Sequence, residues 1–230
     1  MVFVLTDGSG RTGRSRMDST LRLLAETGAT GYPAFRQVTD QQVYTAFLRQ
    51  DIPFFLNLRD QLQRLFDELQ PATVVGDAME YYNPTHDLCR ILIDSILLRT
   101  AASARPVAEN FDFTLVGPVS GETPGAINRE LPPEIFEKKC AAARNYVELT
   151  AEVERQMAQF GPTHFRNESL RPVVAGCFPE RSGIPFYEDY GRQQVEKGIY
   201  SEAIAFDRHF VPVLQALDLP IPRRVTSGSS

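Results

Sequence analysis

Short apolar runs alternate with longer amphipathic segments along the first half of this chain, and this order limits the folds open to it. Strands are predicted over residues 2–6, 73–76 and 111–116, and helices over residues 17–26, 40–70 and 86–102. Strands that alternate with helices are typical of parallel sheets, because parallel strands need long crossover connections. The pattern therefore predicts an α/β fold: a Rossmann-like, mainly parallel sheet with helices on both faces, followed by a helical C-terminal extension.

The second half of the chain has fewer strand signals. Residues 117–133 are rich in Gly and Pro and predict a surface loop; a long helix over 134–160, one possible strand over 171–175 and a helix over 200–217 follow. We expect an α/β core with the candidate site over residues 1–116, a helical extension packed on the same core over 117–217, and a flexible tail over 218–230.

Charge and cysteine content narrow the class of protein. The chain has 24 Lys and Arg against 29 Asp and Glu, a net charge of −5, so it offers no broad basic field for nucleic acid or a membrane surface. It has no apolar run of about 18 residues that would span a bilayer. Three cysteines without a C-x-x-C pair favour a reducing compartment. We expect a cytoplasmic protein that acts on a small molecule, with homo-oligomerisation left open.

Residues 80–90 carry the strongest functional signal. The strand ending at Asp77 leads into a polar turn with Pro84, and the next helix is predicted to start at His86. Open α/β sheets bind ligands at the C-terminal ends of their strands. A neutral imidazole is the commonest zinc ligand, and Asp77 or Asp87 could fix its tautomer. The alternative is a histidine that only caps the helix or packs in the core.

The loop after the first strand is a second candidate. Gly8, Gly13, Arg14 and Ser15 have the spacing of a phosphate-binding P-loop, with arginine where that motif has lysine. Three interpretations stay open: a nucleotide site with Asp77 as the magnesium-binding acid, an anion-binding loop that uses its arginines, or a solvated glycine turn. The three arginines of this loop are Arg11, Arg14 and Arg16.

These two segments together resemble a known family. The turn Leu5-Thr-Asp7-Gly8, the arginine at position 16 and the later Asn83-Pro-Thr-His86-Asp87 are similar to motifs of the PIG-L/LmbE-like family of zinc-dependent N-acetylglucosamine deacetylases. The resemblance covers roughly residues 2–105. It implies that the protein hydrolyses an amide on an N-acylated amino sugar, or on a similar small molecule.

The resemblance also implies roles for single residues. His86 falls on a zinc-ligand histidine and Asp87 on the acid that follows it, while Tyr81 falls where several members place a tyrosine near the developing oxyanion. Arg16 matches an arginine that helps to hold the substrate. The implied catalytic residues are Tyr81 and Asp87, the metal ligand is His86, and the substrate-binding residues are Asp7, Arg14, Arg16 and Asn83.

The chain departs from the family in two places. It contains no His-Pro-Asp-Asp, the motif that supplies two zinc ligands and the general base in the family and that is expected before residue 1. The family's later motif is His-Pro-Asp-His-Asp, and Asn83 stands in the place of its first histidine. A catalytic zinc needs three protein ligands. Either the sequence is an N-terminally truncated deacetylase whose complete site binds zinc, or it is a metal-free relative without a cofactor that binds a polar ligand. The nucleotide interpretation is the third hypothesis.

Other segments are weaker candidates. The aromatic and acidic residues 185–190 could contact sugar hydroxyls, and they could equally form a lid, an oligomer contact or simple packing. His164 and His209 are expected to be non-functional. We expect His86 to lie at the C-terminal edge of the sheet, within about 10 Å of the loop over residues 7–13, with Arg16 and Tyr81 facing the same crevice.

Overall fold

The computed structural model describes residues 1–32, 38–116 and 123–225, apart from the side chain of Arg11. The chain divides into two compact units. Unit 1 comprises Met1–Val43 and Pro118–Ser169, and unit 2 comprises Tyr44–Gly117 and Leu170–Ser230. Both units combine an early and a late segment of the chain.

Helices dominate the described residues. The α-helices are α1 (Met17–Glu26), α2 (Asp40–Arg49), α3 (Ile52–Leu69), α4 (Pro84–Ala102), α5 (Pro133–Asn145), α6 (Thr150–Phe160), α7 (Phe186–Glu196) and α8 (Val211–Ala216). Short 3-10 turns span Gly10–Thr12, Val147–Leu149 and Pro162–Arg166, and a π-helix spans Phe206–Phe210. No helix among the residues described is both long and apolar enough to cross a membrane.

The strands are short. They are β1 (Val2–Phe3), β2 (Gly31–Tyr32), β3 (Thr73–Asp77), β4 (Glu109–Phe113), β5 (Ile127–Glu130), β6 (Asn167–Pro172), β7 (Arg181–Ser182) and β8 (Arg224–Val225). The pairs β1/β2, β3/β4 and β7/β8 are parallel, whereas β6 runs antiparallel to β4. The fold is therefore mixed α/β, with both parallel and antiparallel strand pairs.

The β3–β4 pair forms the framework of unit 2. Thr73 pairs with Glu109 and Asp77 with Phe113, so the C-terminal ends of both strands meet at one edge. On the other side of β4, Asp112 pairs with Arg171 of β6, whose guanidinium donates two hydrogen bonds of 2.8 and 2.9 Å to the carboxylate. Such two-pronged bonds hold strand register well, because both partners are fixed in one plane.

Helix α4 is the centre of unit 2. It begins after Asn83, whose side chain accepts a 2.9 Å hydrogen bond from the Thr85 amide, and Pro84 occupies the first turn. The sequence predicted a start at His86 and one apolar face. Instead the helix is buried on nearly all sides, including the charged residues Arg90 and Asp94.

Arg90 and Asp94 neutralise each other inside the core. Arg90 Nη2 lies 2.8 Å from Asp94 Oδ1, and both side chains are almost completely buried. Arg90 also donates to Asn110 Oδ1 and to the Phe111 carbonyl oxygen of β4, while Asp94 accepts from the Gly176 amide at 3.1 Å. Burial is the largest influence on Asp94 and raises the pKa of its carboxyl. The pair thus joins α4 to β4 and to the segment after β6.

Aromatic rings pack elsewhere in the core of unit 2. Phe47 lies against Phe55 and Phe210 with ring centroids 4.7 and 5.2 Å apart, and all three rings are fully buried. Helix α3, which bears Phe55, starts as predicted around Pro53, where Asp51 caps the Phe54 amide at 3.2 Å. The predicted helix over residues 40–70 is two helices, α2 and α3.

Unit 1 joins the early and late parts of its chain through polar contacts. Thr20 of α1 shares a 2.7 Å hydrogen bond with the Tyr146 hydroxyl, and Ser19 donates to Glu148 at 3.0 Å. Helix α1 has the predicted bounds, and Gly28 beyond it has a positive φ of 72°, which suits a helix stop.

The structure corrects several predicted elements. The long helix over 134–160 is broken, because Tyr146, with φ −80° and ψ 84°, leaves the helical conformation between α5 and α6. The predicted loop over 117–133 contains β5; its residues 117–122 lie outside the described ones. The strand over 2–6 shortens to β1, and that over 111–116 shifts to β4.

The C-terminal region also differs from its prediction. Helix α7 was not predicted, and the helix over 200–217 consists of the π-helix and α8. The strand expected over 171–175 is β6, which ends at Pro172. In the tail, Leu219 is buried and β8 pairs with β7; residues 226–230 lie outside the described ones. Buried apolar side chains therefore fix the first part of this tail.

Replacing Arg90 alone tests the buried pair. Arg90→Met leaves the Asp94 carboxyl buried without its partner, which should lower the free energy of unfolding by about 3–5 kcal/mol. The double variant Arg90→Met/Asp94→Leu removes both charges and should recover much of that loss. Urea unfolding of the wild type, both single variants and the double variant gives the coupling energy. Additive effects would contradict the pairing.

Candidate functional site

His86 and Asp77 form a hydrogen-bonded pair at the C-terminal end of β3. The His86 Nδ1 atom lies 2.7 Å from Asp77 Oδ2. Asp77 is the last residue of β3, and His86 lies in the first turn of α4, so the two come together because the chain turns back at Asn83. The His86 side chain is 45% exposed and that of Asp77 20% exposed, so solvent reaches both.

The pairing sets the chemistry of the imidazole. When the ring is neutral and Nδ1–H donates to the carboxylate, Nε2 carries the lone pair. A carboxylate in this position fixes the tautomer and the orientation of the imidazole ring. The sequence named Asp77 and Asp87 as alternative partners for His86, and the contact is with Asp77.

Glu80 closes the same edge of the sheet. Its carboxylate accepts hydrogen bonds of 2.9 and 3.2 Å from the amides of Leu115 and Val116, directly after β4. Burial raises the pKa of Glu80, and these two amides oppose the rise. Sequence analysis gave Glu80 no role. The Glu80 carboxylate thus joins the loop after β3 to the segment after β4.

Asp87 is a fully buried carboxyl that organises the turn before α4. Its Oδ1 accepts hydrogen bonds from the amides of Glu80 at 3.0 Å and Tyr81 at 3.3 Å. These bonds hold Tyr81 at a positive φ of 56°, which a bulky side chain rarely adopts. Burial is the main cause that raises the pKa of Asp87 to about 7. The geometry assigns Asp87 a positioning role, and its predicted catalytic role stays a prediction.

Tyr81 is anchored at both ends. Its ring packs edge-on against Phe206 with centroids 5.7 Å apart, and its hydroxyl donates to the Pro179 carbonyl oxygen at 2.6 Å. Burial, followed by the charge of Asp87, raises the pKa of Tyr81 well above its usual value. The hydroxyl therefore stays protonated, and it would have to leave Pro179 to act as the predicted oxyanion donor.

The glycine loop of unit 1 is organised by two carboxylates. Asp7 Oδ1 accepts from the Ser9 amide, the Ser9 hydroxyl and the Asp40 amide at 3.0, 2.6 and 3.2 Å. Asp40 in turn accepts from the Gly10 amide at 2.7 Å. In a P-loop such amides would face a phosphate. Here they already bind anionic side chains.

The arginines of this loop have different settings. The Arg16 amide donates to the Asp7 carbonyl oxygen at 2.8 Å, and the half-buried Arg16 side chain lies across Gly8 and towards Gly10. Arg14 is exposed. Arg16 therefore belongs to the loop structure, whereas Arg14 is directed to solvent.

The predicted site residues fall into both units. Asp7, Arg14 and Arg16 lie in unit 1, while Tyr81, Asn83, His86 and Asp87 lie in unit 2. Within unit 2, the turn before α4 brings its four residues together. A crevice shared by His86 and the glycine loop stays a prediction.

A catalytic zinc does not fit the residues that are described. A catalytic zinc takes three protein ligands. Within residues 1–32, 38–116 and 123–225, no group of three or more His, Cys, Asp or Glu side chains is arranged to hold a metal. His86 with Asp77 provides one nitrogen ligand and its supporting carboxylate.

The nearby thiol and the other histidines have structural settings. Burial raises the pKa of Cys89 to about 12, so this cysteine, one turn after His86, stays a neutral thiol and a poor nucleophile. His209 is buried and its Nδ1 accepts from the Ala205 amide at 2.9 Å, while burial lowers its pKa. His164 packs against Phe160 and Phe165.

No family model, curated protein or solved structure matches this chain. The resemblance to the PIG-L/LmbE-like deacetylases therefore rests on the short motifs alone. The geometry around His86 is therefore the basis for inferring a function.

The ionisation of Asp87 predicts a pH dependence of stability. The folded-state pKa of about 7 lies above the ordinary value of 3.8, so the folded protein holds this proton more tightly than the unfolded chain. The contribution of Asp87 to the free energy of unfolding is then fully present below about pH 4 and is lost as the pH rises towards about 7. Asp87→Asn should remove this fall. Between about pH 4 and about pH 7, the free energy of unfolding of the variant should therefore rise by about 3 kcal/mol relative to that of the wild type.

Thermal or urea unfolding at several pH values measures this difference. Asp189→Asn is the matched control, because Asp189 is an exposed acid in the first turn of α7. Equal pH profiles for the wild type and Asp87→Asn would show that folding does not raise the pKa of Asp87.

Asn83 tests whether the turn before α4 depends on its cap. Asn83→Ala removes the acceptor for the Thr85 amide and should lower the free energy of unfolding by about 1 kcal/mol, whereas Asn83→Ser, which can still cap, should lose less. Chemical denaturation measures both. If Ser and Ala behaved alike, the cap would not be the source of the effect.

Proposed function

We propose that this protein is a PIG-L/LmbE-like relative with a Rossmann-like fold that binds an N-acylated amino sugar, or a similar small polar amide, at the C-terminal end of β3. The observation that carries the proposal is the half-exposed His86 held by Asp77 at 2.7 Å. The motif around Asn83 and His86 is the part of the chain that resembles the family.

The pair suits a ligand with several hydrogen-bond donors. The imidazole of His86 and the carboxylate of Asp77 are both partly exposed, so a ligand with amide N–H and hydroxyl groups can reach polar atoms of this pair. The partly exposed Asp77 carboxylate offers a second, charged acceptor. A hydrogen bond to the charged Asp77 carboxylate contributes about 1.5–3 kcal/mol, which favours a polyhydroxylated ligand over an apolar one.

We assign ligand binding, and not hydrolysis, to the described residues. Hydrolysis of an amide as in zinc deacetylases needs further metal ligands beside His86, and the described residues do not bring such a set together. Tyr81, the expected oxyanion donor, gives its hydrogen bond to Pro179. Both observations support the metal-free alternative.

The glycine loop does not favour a nucleotide-binding function. Asp7 and Asp40 accept hydrogen bonds from loop amides, and their negative charges would repel a phosphate placed there. No P-loop lysine is present to offset them. We therefore do not propose phosphate binding as a second function.

Saturation-transfer NMR and calorimetry with N-acetylglucosamine and its methyl glycoside test the proposal. The wild type should bind, and His86→Ala and Asp77→Ala should each weaken binding about tenfold or more, because each removes one contact or its support. His164→Ala is the control, since this histidine lies in unit 1 among aromatic rings. No binding by the wild type, or equal binding by His86→Ala, would reject the site.

Metal analysis of the same samples distinguishes binding from hydrolysis. We expect no stoichiometric zinc after dialysis and no release of free amine from N-acetylglucosamine. Stoichiometric zinc that is lost in His86→Ala, together with amine release, would instead support the deacetylase and overturn the metal-free assignment.

A further inference from the structure

Two polar atoms of unit 2 are buried and have no hydrogen-bond partner among the described residues. They are Oδ2 of Asp87, whose other carboxylate oxygen binds the turn before α4, and the hydroxyl of Tyr187 in the first turn of α7. Asp87 is fully buried and Tyr187 is only 8% exposed. A buried polar atom without a partner is costly, so folded proteins rarely leave two of them in one cluster.

The loop after β3 brings these two residues into one cluster. The Tyr81 amide donates to Asp87 Oδ1 at 3.3 Å, and the Tyr81 carbonyl oxygen accepts from the Phe186 amide at 2.8 Å. The residue before Tyr187 is therefore bonded to the residue that binds Asp87. Burial, followed by the charge of Asp87, raises the pKa of Tyr187. The carboxyl and the hydroxyl thus interact electrostatically, although they do not bond each other directly.

The charges of the cluster favour a small neutral partner for the two oxygens. The positive charge of Arg181, whose guanidinium lies 4.5 Å from the centroid of the Phe206 ring, also acts on Tyr187 and disfavours a metal ion there. The carboxylate of Asp87 disfavours an anion.

The ionisation of Asp87 sets a further requirement. Because burial raises its pKa to about 7, the carboxyl exists in both forms near neutral pH. Its Oδ2 atom accepts a hydrogen bond when ionised and can donate one when protonated. A water molecule satisfies both forms, because it donates and accepts equally well.

We infer that unit 2 binds an internal water molecule between Asp87 Oδ2 and the Tyr187 hydroxyl. Buried waters typically make about three hydrogen bonds to polar groups that otherwise lack partners. Arg181 Nε is a third buried group without a partner among the described residues, and it supplies a donor in the same cluster. The water joins α4 to α7 by polar contacts. Its site is independent of the ligand proposed at His86.

A high-resolution crystal structure of the wild-type protein tests the site directly. We expect an ordered water within hydrogen-bond distance of both Asp87 Oδ2 and the Tyr187 hydroxyl. A map that shows other buried waters but none here would overturn the inference. So would a direct hydrogen bond between the two side chains.

Tyr187→Phe distinguishes a bridged hydroxyl from one that is merely unpaired. If the hydroxyl binds the water, its removal should lower the equilibrium constant for folding about fivefold, because the water and Asp87 lose a partner. Removal of an unpaired hydroxyl should leave this constant unchanged or raise it. Urea unfolding at neutral pH measures the difference.

Tyr190→Phe is the matched control for this substitution. Tyr190 lies on the same helix and is 38% exposed, so loss of its hydroxyl should change the folding constant less than about twofold. A folding constant for Tyr187→Phe that equals or exceeds that of the wild type would refute the bridging water.

Discussion

The arrangement of unit 2 depends on the buried ion pair of Arg90 and Asp94. Two charges in a core are costly unless they are compensated, and besides their own ion pair the compensation comes from two other segments of the chain. Arg90 reaches Asn110 and Phe111 of β4, while Asp94 reaches the amide of Gly176. Apolar contacts alone would allow α4 to rotate or slide against the sheet. The directional bonds of this pair permit only one setting.

The position of α4 against the sheet determines where the candidate site lies. Because Arg90 fixes α4 against β4, the first turn of the helix is held over the C-terminal end of β3, and His86 comes within hydrogen-bond distance of Asp77. Asp87, one residue later, faces inward and binds the amides of the preceding turn. Adjacent residues of α4 thus have different roles: His86 is half-exposed and pairs with Asp77, whereas Asp87 is buried and stabilises the loop that carries Tyr81.

Local signals predicted much of this arrangement from the sequence. The start of α3 near Pro53 was predicted because proline suits the first turn, and the strand ending at Asp77 was predicted from its apolar run. For α4 the prediction placed the start at His86, two residues after the observed start at Pro84. The break at Tyr146 carries no glycine or proline and could not be predicted. The burial of Arg90 and Asp94 was also missed. An arginine and an aspartate four residues apart are usually an exposed pair on a helix, and only the tertiary packing around α4 makes them internal.

Unit 2 is built from segments that leave the ribosome at very different times. The Ser95 hydroxyl of α4 donates to the Leu217 carbonyl oxygen, and Phe47 stacks on Phe210, so part of the packing of the early segment is completed only after residues 210–217 have been made. Until Leu217 has been made, the side of α4 that bears Ser95 lacks this native partner. Nascent chains in that condition attract holding chaperones and are prone to aggregation. A ribosome that stalls shortly before residue 210 would therefore release a product that cannot complete this core.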